Sequence, residues 1–313
     1  MKFSIVITTY NRLEFLKRAI ASALNQTVPC EVVVVDDAST DDTEAYVRSL
    51  GNQVIYHRNA TNLNHAGSVN AGVEVSTGDW IKFLDDDDYL AEDCIEKMGQ
   101  AIAQHPQAVL CSCRSVHVDE QGNELRRTGA VGPGQTFYVP RTAIHYGMLL
   151  EQTPVGTPVQ VAAQRQAFLQ AGGWDITMTT NYDDIDAWVR IAAYGDALFL
   201  NEYLAYRTLW SGGFEQKKNL KGRAELNVVI KKRIYNFIPA EEAEQSNYPS
   251  IDIISQYVYL HWGLIALAQR KLPIASELLF PACFNPAPWR LLWQIRSTRR
   301  NPEQTLVPKL PVA

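Results

Sequence analysis

The stretch WIKFLDDDD, residues 80–88, decides the fold of this chain and indicates its chemistry. Its first five residues are mostly apolar and predict a buried strand, and four aspartates, Asp85 to Asp88, follow without a break. Adjacent carboxylates repel one another, so a fixed group of four suggests that something positive binds there. Carboxylate oxygens suit the hard cations Mg²⁺ and Mn²⁺, which proteins commonly share with substrate phosphates. Taken alone, such a run could equally be a solvated acidic turn before a helix.

The first 110 residues alternate between strand and helix patterns. Ser39 and Asp42 resemble a capping box that opens the second helix, which should continue through Leu50. Alternation of this kind predicts a parallel sheet with helices on both faces. The predicted strands are residues 3–8, 31–35, 54–57 and 80–84, and the other predicted helices are residues 12–24 and 66–75.

Three polar clusters follow strands of this predicted sheet. Residues 8–11 follow the first strand, Asp36 and Asp37 follow the second, and residues 85–88 follow the fourth. Ligands of such sheets bind outside the carboxyl ends of the strands. We therefore expect the three clusters to meet at one edge, and this convergence is a stronger signal than any of the motifs alone.

The bulk composition is that of an ordinary globular protein. With 313 residues, 46% of them hydrophobic, the chain can form one large domain or a domain with an appendage. A net charge of −5 argues against general nucleic-acid binding, which usually shows a clustered basic surface. The five cysteines form no CxxC pair, which indicates reduced thiols in a cytoplasmic protein. The apolar run at residues 3–7 is too short for a signal peptide, and no uninterrupted apolar stretch reaches the ~20 residues that span a bilayer.

Beyond residue 110 the pattern becomes less regular. A strand is expected at residues 108–113, then loops and short strands over residues 119–158, and a polar, mobile loop at residues 211–217. After residue 218 the chain should be mostly helical, so the predicted domains are residues 1–217 and 218–313. The remaining predicted elements are helices at 164–170, 183–193, 220–237 and 251–270 and extended segments at 197–200 and 204–207.

The carboxyl-terminal segment interleaves aromatic and basic residues. Such a stretch can lie on an anionic membrane surface, or it can be a helix that packs on the main domain with its arginines in water. The residues concerned are Trp289, Leu291, Leu292, Trp293 and Ile295, with Arg290, Arg296, Arg299 and Arg300 between them.

Several motifs together resemble the family 2 glycosyltransferases, which have the GT-A fold. The resemblance implies an α/β chain with a Rossmann-like, mostly parallel central sheet flanked by helices, followed here by a helical extension. It also implies a nucleotide-sugar and metal half, residues 1–110, and an acceptor half, residues 111–217. The matching segments are residues 4–12, 23–27, 33–41, 70–72, 78–88, 172–175 and 183–190, within a similarity that covers roughly residues 1–210.

The family implies transfer of a sugar from a nucleotide-sugar to an acceptor hydroxyl, with inversion at the anomeric carbon. UDP-sugar is the default donor and dTDP-sugar the next, and the expected acceptor is a glycan or a lipid-linked glycan in cell-surface polysaccharide synthesis. The chain lacks the Gln-x-x-Arg-Trp signature and the membrane spans of the processive members. We therefore expect the enzyme to add one sugar per encounter on the cytoplasmic side. It could be bound peripherally at the inner face of the membrane.

Carried over by position, the family's site residues fall on all three polar clusters and on a later helix. Asp87 matches the metal-ligating position, Asp37 the contact to the nucleobase, and Asp184 the general base. A base must lie across the sugar from the diphosphate, which suits an aspartate far from the acidic cluster in sequence. The remaining nucleotide-sugar positions are Thr8, Tyr10, Asn11, Asn70, Asp85 and Asp86, of which Asp86 lies near the donor ribose.

Other assignments stay open on the sequence alone. Asp184 competes with Asp183 and Asp186 for the role of base, although its position in the motif favours it; Asp183 is then a weak candidate for acceptor contact. Trp174 could stack on an acceptor sugar or be a core tryptophan. The histidines, His65 among them, show no ligand-pair spacing and are predicted to be structural or surface residues.

Two competing functions remain. An aspartyl-phosphate phosphohydrolase would use Asp36 as nucleophile, but it needs a second aspartate where this chain has Ala38. A non-catalytic nucleotide-sugar or glycan-binding subunit of an assembly complex is the main alternative, and the retained acidic positions argue against it.

Many relatives carry a histidine where this chain has Leu209 and Trp210, which puts any additional metal or phosphate contact there in doubt.

Overall fold

The computed structural model describes residues 1–178, 182–210, 219–238 and 248–300, with side chains as far as residue 297. The predicted polar loop at residues 211–217 and the predicted domain boundary at residues 217–218 lie outside these ranges. The chain divides into two compact units. The first comprises Met1–Arg141 and Val155–Ser211, and the second comprises Thr142–Pro154 and Gly212–Ala313.

The first unit contains a sheet with helices packed against it. Within the described residues its strands are β1 Phe3–Thr9, β2 Glu31–Asp36, β3 Ile55–Arg58, β4 Trp80–Asp85, β5 Tyr89–Leu90, β6 Ala108–Val118, β7 Glu124–Arg127, β8 Thr136–Val139, β9 Val161–Gln164 and β10 Asp196–Thr208. Its helices are α1 Leu13–Leu24, α2 Thr43–Ser49, α3 Asn64–Val75, α4 Cys94–Gln104, α6 Arg165–Gln170 and α7 Asp183–Ile191, while α5, Arg141–Leu149, lies almost wholly in the second unit.

The first four long strands pair in parallel in the order β3-β2-β1-β4, as the alternating pattern predicts. Beyond β4 the sheet becomes mixed, because β9 runs antiparallel to both β4 and β6. Strand β10 then lies parallel to β6 and antiparallel to β5 and β8. The parallel half therefore has its carboxyl ends along one edge, and the later strands extend that edge.

Strand β10 is longer than its sequence pattern indicates. Residues 197–200 and 204–207 were expected as two separate extended segments, but they form one strand that keeps pairing with β6. Register shifts at Leu200/Tyr203 and Tyr203/Ala205 absorb the irregular residues between them. The strand therefore carries Thr208 to the sheet edge beside the acidic run.

The capping box predicted at Ser39 is wrong. Helix α2 begins at Thr43, and the Ser39 hydroxyl accepts the backbone N–H of Asn11 at 3.0 Å. The backbone N–H of Ser39 donates to Asp36 Oδ1 at 2.7 Å. Because Ser39 links the ends of β1 and β2, its hydroxyl is not available to cap a helix.

The core of the first unit lies between the sheet and its helices, where Leu16 and Ile20 of α1 meet Ile5 and Val34 of the sheet. On the other face, Gly72 of α3 lies so close to the sheet that a Cβ there would stand 2.9 Å from Val35 Cγ2. This close approach requires a glycine, because any larger side chain would overlap the sheet.

The second unit is helical. Its described helices besides α5 are α8 Leu220–Tyr235, α9 Ile251–Ala268, α10 Leu272–Leu279 and α11 Pro286–Arg300. Helix α5 was not predicted, and its carboxyl end depends on a tertiary contact: Lys231 of α8 donates to the carbonyls of Met148 and Leu149 at 3.1 and 2.5 Å.

One helix of the described chain, α9, is long and apolar enough to cross a membrane by length and composition. The core helices of soluble proteins pass the same test, so this finding is weak by itself. Helix α9 contacts α8, α10 and α11.

Candidate active site

Strand register brings the three polar clusters to one edge of the sheet. Thr8 of β1 pairs with Val35 of β2 and with Asp85 of β4, and Thr9 pairs with Asp36. The residues that follow these strands therefore begin from neighbouring points. The convergence predicted from the sequence is confirmed by this pairing.

Three members of the acidic run form a compact cluster. One carboxylate oxygen from each of Asp85, Asp87 and Asp88 lies within 4.8 Å of the other two. The burial of Asp88, and then the charges of Asp87 and Asp85, raise its pKa well above the usual range. A set of oxygen donors with excess negative charge fits Mg²⁺ or Mn²⁺. The structure thus places the predicted ligand Asp87 beside Asp85, which had been assigned to the nucleotide-sugar, and beside Asp88.

Asp86 is not part of that cluster. It is fully buried, and its Oδ2 accepts the hydroxyl of Thr9 at 2.7 Å. Its Oδ1 lies 3.1 Å from Arg12 Nη2 but has no aligned hydrogen-bond donor among the described residues. Burial raises the pKa of Asp86 to about 7, against the effect of the Arg12 charge. A buried carboxylate oxygen without a donor fits a ligand hydroxyl, such as that of a ribose.

Asp87 is held by two donors from elsewhere in the chain. Arg12 Nη1 and Trp210 Nε1 both donate to its Oδ2, at 3.0 and 2.9 Å. Arg18 donates to the Asp87 carbonyl at 2.7 Å and to the Thr208 hydroxyl at 2.6 Å, which ties the acidic turn to β10. One oxygen of Asp87 is therefore occupied by the protein itself, and an arginine supplies positive charge beside the acidic cluster.

One histidine lies between the acidic cluster and α7. His65 Nε2 is 2.8 Å from Asp85 Oδ1, and its Nδ1 is 3.4 Å from Asp183 Oδ2. Burial alone would lower the pKa of His65, but the two carboxylates raise it well above its usual value. Burial alone would raise the pKa of Asp85, but the charge of His65 and its hydrogen bond hold it below the usual value. The ring therefore joins the end of β4 to the first residue of α7.

Asp184 lies in the first turn of α7, next to Asp183. Its carboxylate is half-buried, and its Oδ1 accepts the backbone N–H of Ile185 at 2.7 Å. Burial, and then the negative charge of Asp183, raise the pKa of Asp184 to about 7. A carboxylate whose pKa lies near neutrality can accept a proton far better than an ordinary aspartate.

The other two candidates for this role are placed differently. Asp186 is buried and pairs with Arg190 at 2.8 Å, and Arg190 also donates to the carbonyls of Ala171 and Gly173. Asp183 faces His65. Of the three aspartates, Asp184 is the one whose carboxylate is paired with neither Arg190 nor His65, which suits the role of base.

Asp36 and Asp37 have separate roles. Asp36 is fully buried and accepts hydrogen bonds from Tyr56, Arg58 and Ser39, so it cannot act as the nucleophile of a phosphohydrolase. Asp37 Oδ1 accepts Asn59 Nδ2 at 2.8 Å and the backbone N–H of Leu63 at 2.7 Å. These bonds orient Asp37, the predicted nucleobase contact.

The loop after β1 contains the other three predicted nucleotide positions. Thr8 is buried at the strand end, and Tyr10 is 44% exposed beyond it. Asn11 has a left-handed backbone with φ of 54°, and its side-chain oxygen accepts the backbone N–H of Thr40 at 2.7 Å. Asn11 thus connects the loops after β1 and β2.

Asn70 and Trp174 hold each other. Asn70 Oδ1 accepts the Trp174 backbone N–H at 2.8 Å, and its Nδ2 donates to the Trp174 carbonyl at 2.9 Å. Both polar atoms of the amide are thereby directed at the backbone rather than at a ligand. Trp174 is 1% exposed and packs against Phe83, Trp188 and His65. Of the two alternatives left open for Trp174, the structure favours the core tryptophan over stacking on an acceptor sugar, because the ring is enclosed by the core.

The sequence analysis gave no individual role to four residues of this site: Arg12, His65, Asp88 and Trp210. A signal existed for two of them, since Asp88 completes the acidic run and His65 lies in the first turn of the helix after β3, on the ligand-binding edge. The contacts of Arg12 and Trp210 with Asp87 had no such signal.

The sequence and fold are similar to those of several known proteins. Residues 4–171 match the glycosyl transferase family 2. Protein CgeD of Bacillus subtilis is 27% identical over 228 residues, which cover 66% of this chain and 50% of CgeD. The GalNAc(5)-diNAcBac-PP-undecaprenol beta-1,3-glucosyltransferase of Campylobacter jejuni is 31% identical over 127 residues, which cover 39% of this chain and 40% of that enzyme. The chain spans about half or less of the length of these relatives.

Two solved structures show the same fold. Staphylococcus aureus TarS 1–349 in complex with UDP-GlcNAc superposes with a TM-score of 0.59 at 16% identity, over 96% of this chain and 92% of that one. The mannosyltransferase PcManGT of Pyrobaculum calidifontis, in complex with GDP-Man and Mn²⁺, superposes with a TM-score of 0.55 at 18% identity, over 96% and 86%.

Proposed function

The chain belongs to glycosyl transferase family 2 and is a glycosyltransferase, and on that premise we propose that it is inverting and metal-dependent and transfers one sugar at a time. The proposed donor is a UDP-sugar, with a dTDP-sugar as the next candidate, and the acceptor is a hydroxyl of a glycan or lipid-linked glycan. The observation that carries this proposal is that His65 joins the acidic cluster to the helix of Asp184. One edge of the sheet would thereby hold both the proposed cation site and the proposed base.

The donor would bind along the strand ends. Asp37 would accept a hydrogen bond from the nucleobase. Asp86 Oδ1, which receives no hydrogen bond from the described residues, would accept one from the ribose. Asp87, with Asp85 and Asp88 beside it, would hold Mg²⁺ or Mn²⁺. A bound ion neutralises the charge that develops on the leaving diphosphate. TarS in complex with UDP-GlcNAc supports the UDP assignment, and PcManGT with Mn²⁺ supports the metal.

Asp184 would take the proton of the acceptor hydroxyl as that oxygen attacks the anomeric carbon. The new bond joins the acceptor oxygen to the sugar, and the bond from the sugar to the diphosphate breaks, so the nucleotide diphosphate leaves with both electrons. A single base on the face opposite the leaving group is sufficient for inversion, and positioned bases contribute typically 10²–10⁴-fold. The raised pKa of Asp184 suits it to this role near neutral pH.

A partner surface is also proposed, on α11 of the second unit. Trp289 and Trp293 are 41% and 74% exposed, and the exposed Arg290 and Arg296 lie on either side of them around the helix. Exposed aromatic rings flanked by cations fit an anionic lipid surface. Vesicles with and without about 30% phosphatidylglycerol test this in sedimentation. We expect binding only to the anionic vesicles and a loss of binding in Trp293→Ala; equal sedimentation with both vesicles would refute the proposal.

Calorimetry tests the donor site. UDP, dTDP, GDP and CMP are titrated with and without Mn²⁺ into the wild type, Asp87→Asn and the matched surface variant Asp252→Asn. We expect Mn²⁺-dependent binding of UDP that weakens at least about tenfold in Asp87→Asn and stays unchanged in Asp252→Asn. Equal UDP affinity with and without Mn²⁺ would refute the metal dependence.

Turnover is followed as UDP release from UDP-sugars with a panel of glycan acceptors. We expect Asp184→Asn to bind UDP normally and to lose turnover by about 10²–10⁴-fold. Donor binding by the wild type without any transfer or hydrolysis would instead favour the non-catalytic subunit.

A further inference from the structure

His65 is the one residue of the site that contacts both halves of the proposed chemistry, within the part of the chain that the structure describes. Its Nε2 lies 2.8 Å from Asp85 in the acidic cluster, and its Nδ1 lies 3.4 Å from Asp183, the first residue of α7. The ring edge packs on buried Trp174 with centroids 5.0 Å apart. These three contacts fix the ring in position and orientation.

The two ring nitrogens face different carboxylates. Nε2 is hydrogen-bonded to Asp85, and Nδ1 lies at ion-pair distance from Asp183. The groups that face this ring and its neighbours are Asp85 from β4, Asp183 and Asp184 from α7, Arg207 from β10, and Arg12, the residue before α1. Three carboxylates and two arginines thus lie around the ring and its neighbours.

The first turn of α7 begins from an unusual backbone conformation. Its N-cap residue, Tyr182, has a left-handed backbone with φ of 89°, and no side chain caps the helix. Farther along, Arg190 ties the last turn of the helix to the carbonyls of Ala171 and Gly173. The contact from His65 to Asp183 therefore acts at the end of α7 that carries Asp184.

We propose that His65 is a positioning residue that connects Asp85 to Asp183 and so sets the base Asp184 at a fixed distance from the bound donor. This inference rests on the proposed function, because it assigns the donor to Asp85 and its neighbours and the base to Asp184. Small displacements of a catalytic group, of about 1 Å, can lower a rate by about 10²-fold. His65 touches neither reacting atom and acts through the two aspartates.

Hydrogen exchange tests the connection without any substrate. The backbone N–H of Asp186 donates to the Tyr182 carbonyl at 2.9 Å, so its exchange reports on the first turn of α7. In His65→Ala we expect this amide to exchange about tenfold faster, with the amides of α3 and of the last turn of α7 unchanged. His57→Ala, a histidine on β3 outside the site, is the matched control and should leave it unchanged. Unchanged exchange of the Asp186 amide in His65→Ala would overturn the proposal.

Ligand binding and turnover separate positioning from a purely structural role. We expect His65→Ala to bind UDP with Mn²⁺ within about fivefold of the wild type and to release UDP from UDP-sugars at least about 30-fold more slowly. Loss of UDP affinity in parallel with turnover would overturn the proposal in favour of a donor-binding role. A turnover within about threefold of the wild type would overturn it outright.

Two conservative variants separate the two arms of the contact. His65→Gln places its amide nitrogen near the position of Nε2 and can reach Asp85, and His65→Asn places its nitrogen near Nδ1 and can reach Asp183. If both arms are needed, neither variant restores the exchange rate or the turnover of the wild type. Full restoration by His65→Gln alone would show that Asp183 plays no part. A failure of the proposed function is distinguishable, because then the wild type neither binds UDP with Mn²⁺ nor releases it.

Discussion

The substitution Asp184→Asn should change activity and stability in opposite directions. It removes the negative charge while keeping the size of the side chain, and an asparagine oxygen can still accept the Ile185 N–H that Asp184 accepts at 2.7 Å. The backbone of α7 should therefore remain in place. Any large effect then reports on the charge itself.

The activity of the wild type should depend on the pH in a defined way. Burial and the charge of Asp183 raise the pKa of Asp184 to about 7, and the base acts only when it is unprotonated. Its charged fraction rises from about 9% at pH 6 to about 91% at pH 8, so turnover should rise about tenfold over this interval. Asp184→Asn should lose about 10²–10⁴-fold in turnover and should also lose this pH dependence.

The stability effect has the opposite sign. The pKa of Asp184 is higher in the folded than in the unfolded state, so the folded state binds the extra proton between about pH 4 and pH 7. The stabilisation from this proton is complete below the unfolded pKa and is lost as the pH rises through the folded one. The full pKa shift corresponds to about 4 kcal/mol of stability. Because the half-buried carboxylate keeps contact with solvent, we expect an effect on stability of about 1–2 kcal/mol. Asp184→Asn should therefore exceed the wild type by about 1–2 kcal/mol at pH 8, and by much less at pH 5.

Guanidinium denaturation at pH 5 and pH 8, together with UDP release from pH 6 to pH 8, measures both effects. Asp186→Asn is the matched control in the same helix, because it removes the charge that pairs with the partly buried Arg190 and should destabilise the protein at both pH values. A variant Asp184→Asn that is no more stable than the wild type at pH 8, and that keeps the pH-dependent rise in turnover, would refute the assignment of Asp184 as a base with a raised pKa.

Three further substitutions test other parts of the structure. Trp210→Phe keeps an aromatic ring but removes the N–H that occupies Asp87, so calorimetry should show Mn²⁺ binding with UDP about three- to tenfold tighter; unchanged affinity would mean that Trp210 does not compete with the metal. Gly72→Ala should lower the free energy of unfolding by about 1–3 kcal/mol through overlap with the sheet, whereas Gly129→Ala, in open space, should not. Trp174→Phe should destabilise the protein by about 1–3 kcal/mol in denaturation while leaving UDP affinity intact, and a loss of UDP affinity without destabilisation would contradict its place in the core.

The sequence predicts the parallel half of the sheet well because its signal is local. A run of four valines, at residues 32–35, has no amphipathic alternation and can only be a strand buried on both faces. The same holds for residues 80–84, and the polar residues after these strands then fall on one edge by topology. The acidic cluster follows from these patterns alone.

The sequence predicts the second half less well because long-range contacts decide it. Residues 197–200 and 204–207 form one strand only because β6 pairs with both segments across two register shifts. Helix α5 ends where Lys231, more than 80 residues later, donates to its last carbonyls. No local pattern can show a partner at that separation.

The sequence by itself determined the family and the acidic edge of the sheet, and it predicted Asp184 as the base, because these depend on residue types at fixed spacings. The tertiary structure alone decided how those residues are used. It enclosed Trp174 in the core, turned the amide of Asn70 onto the backbone, and occupied one oxygen of Asp87 with Arg12 and Trp210. It also placed His65 between Asp85 and Asp183. A side chain's partner is set by the direction and distance of groups that are far apart in the chain, and only the folded arrangement supplies those.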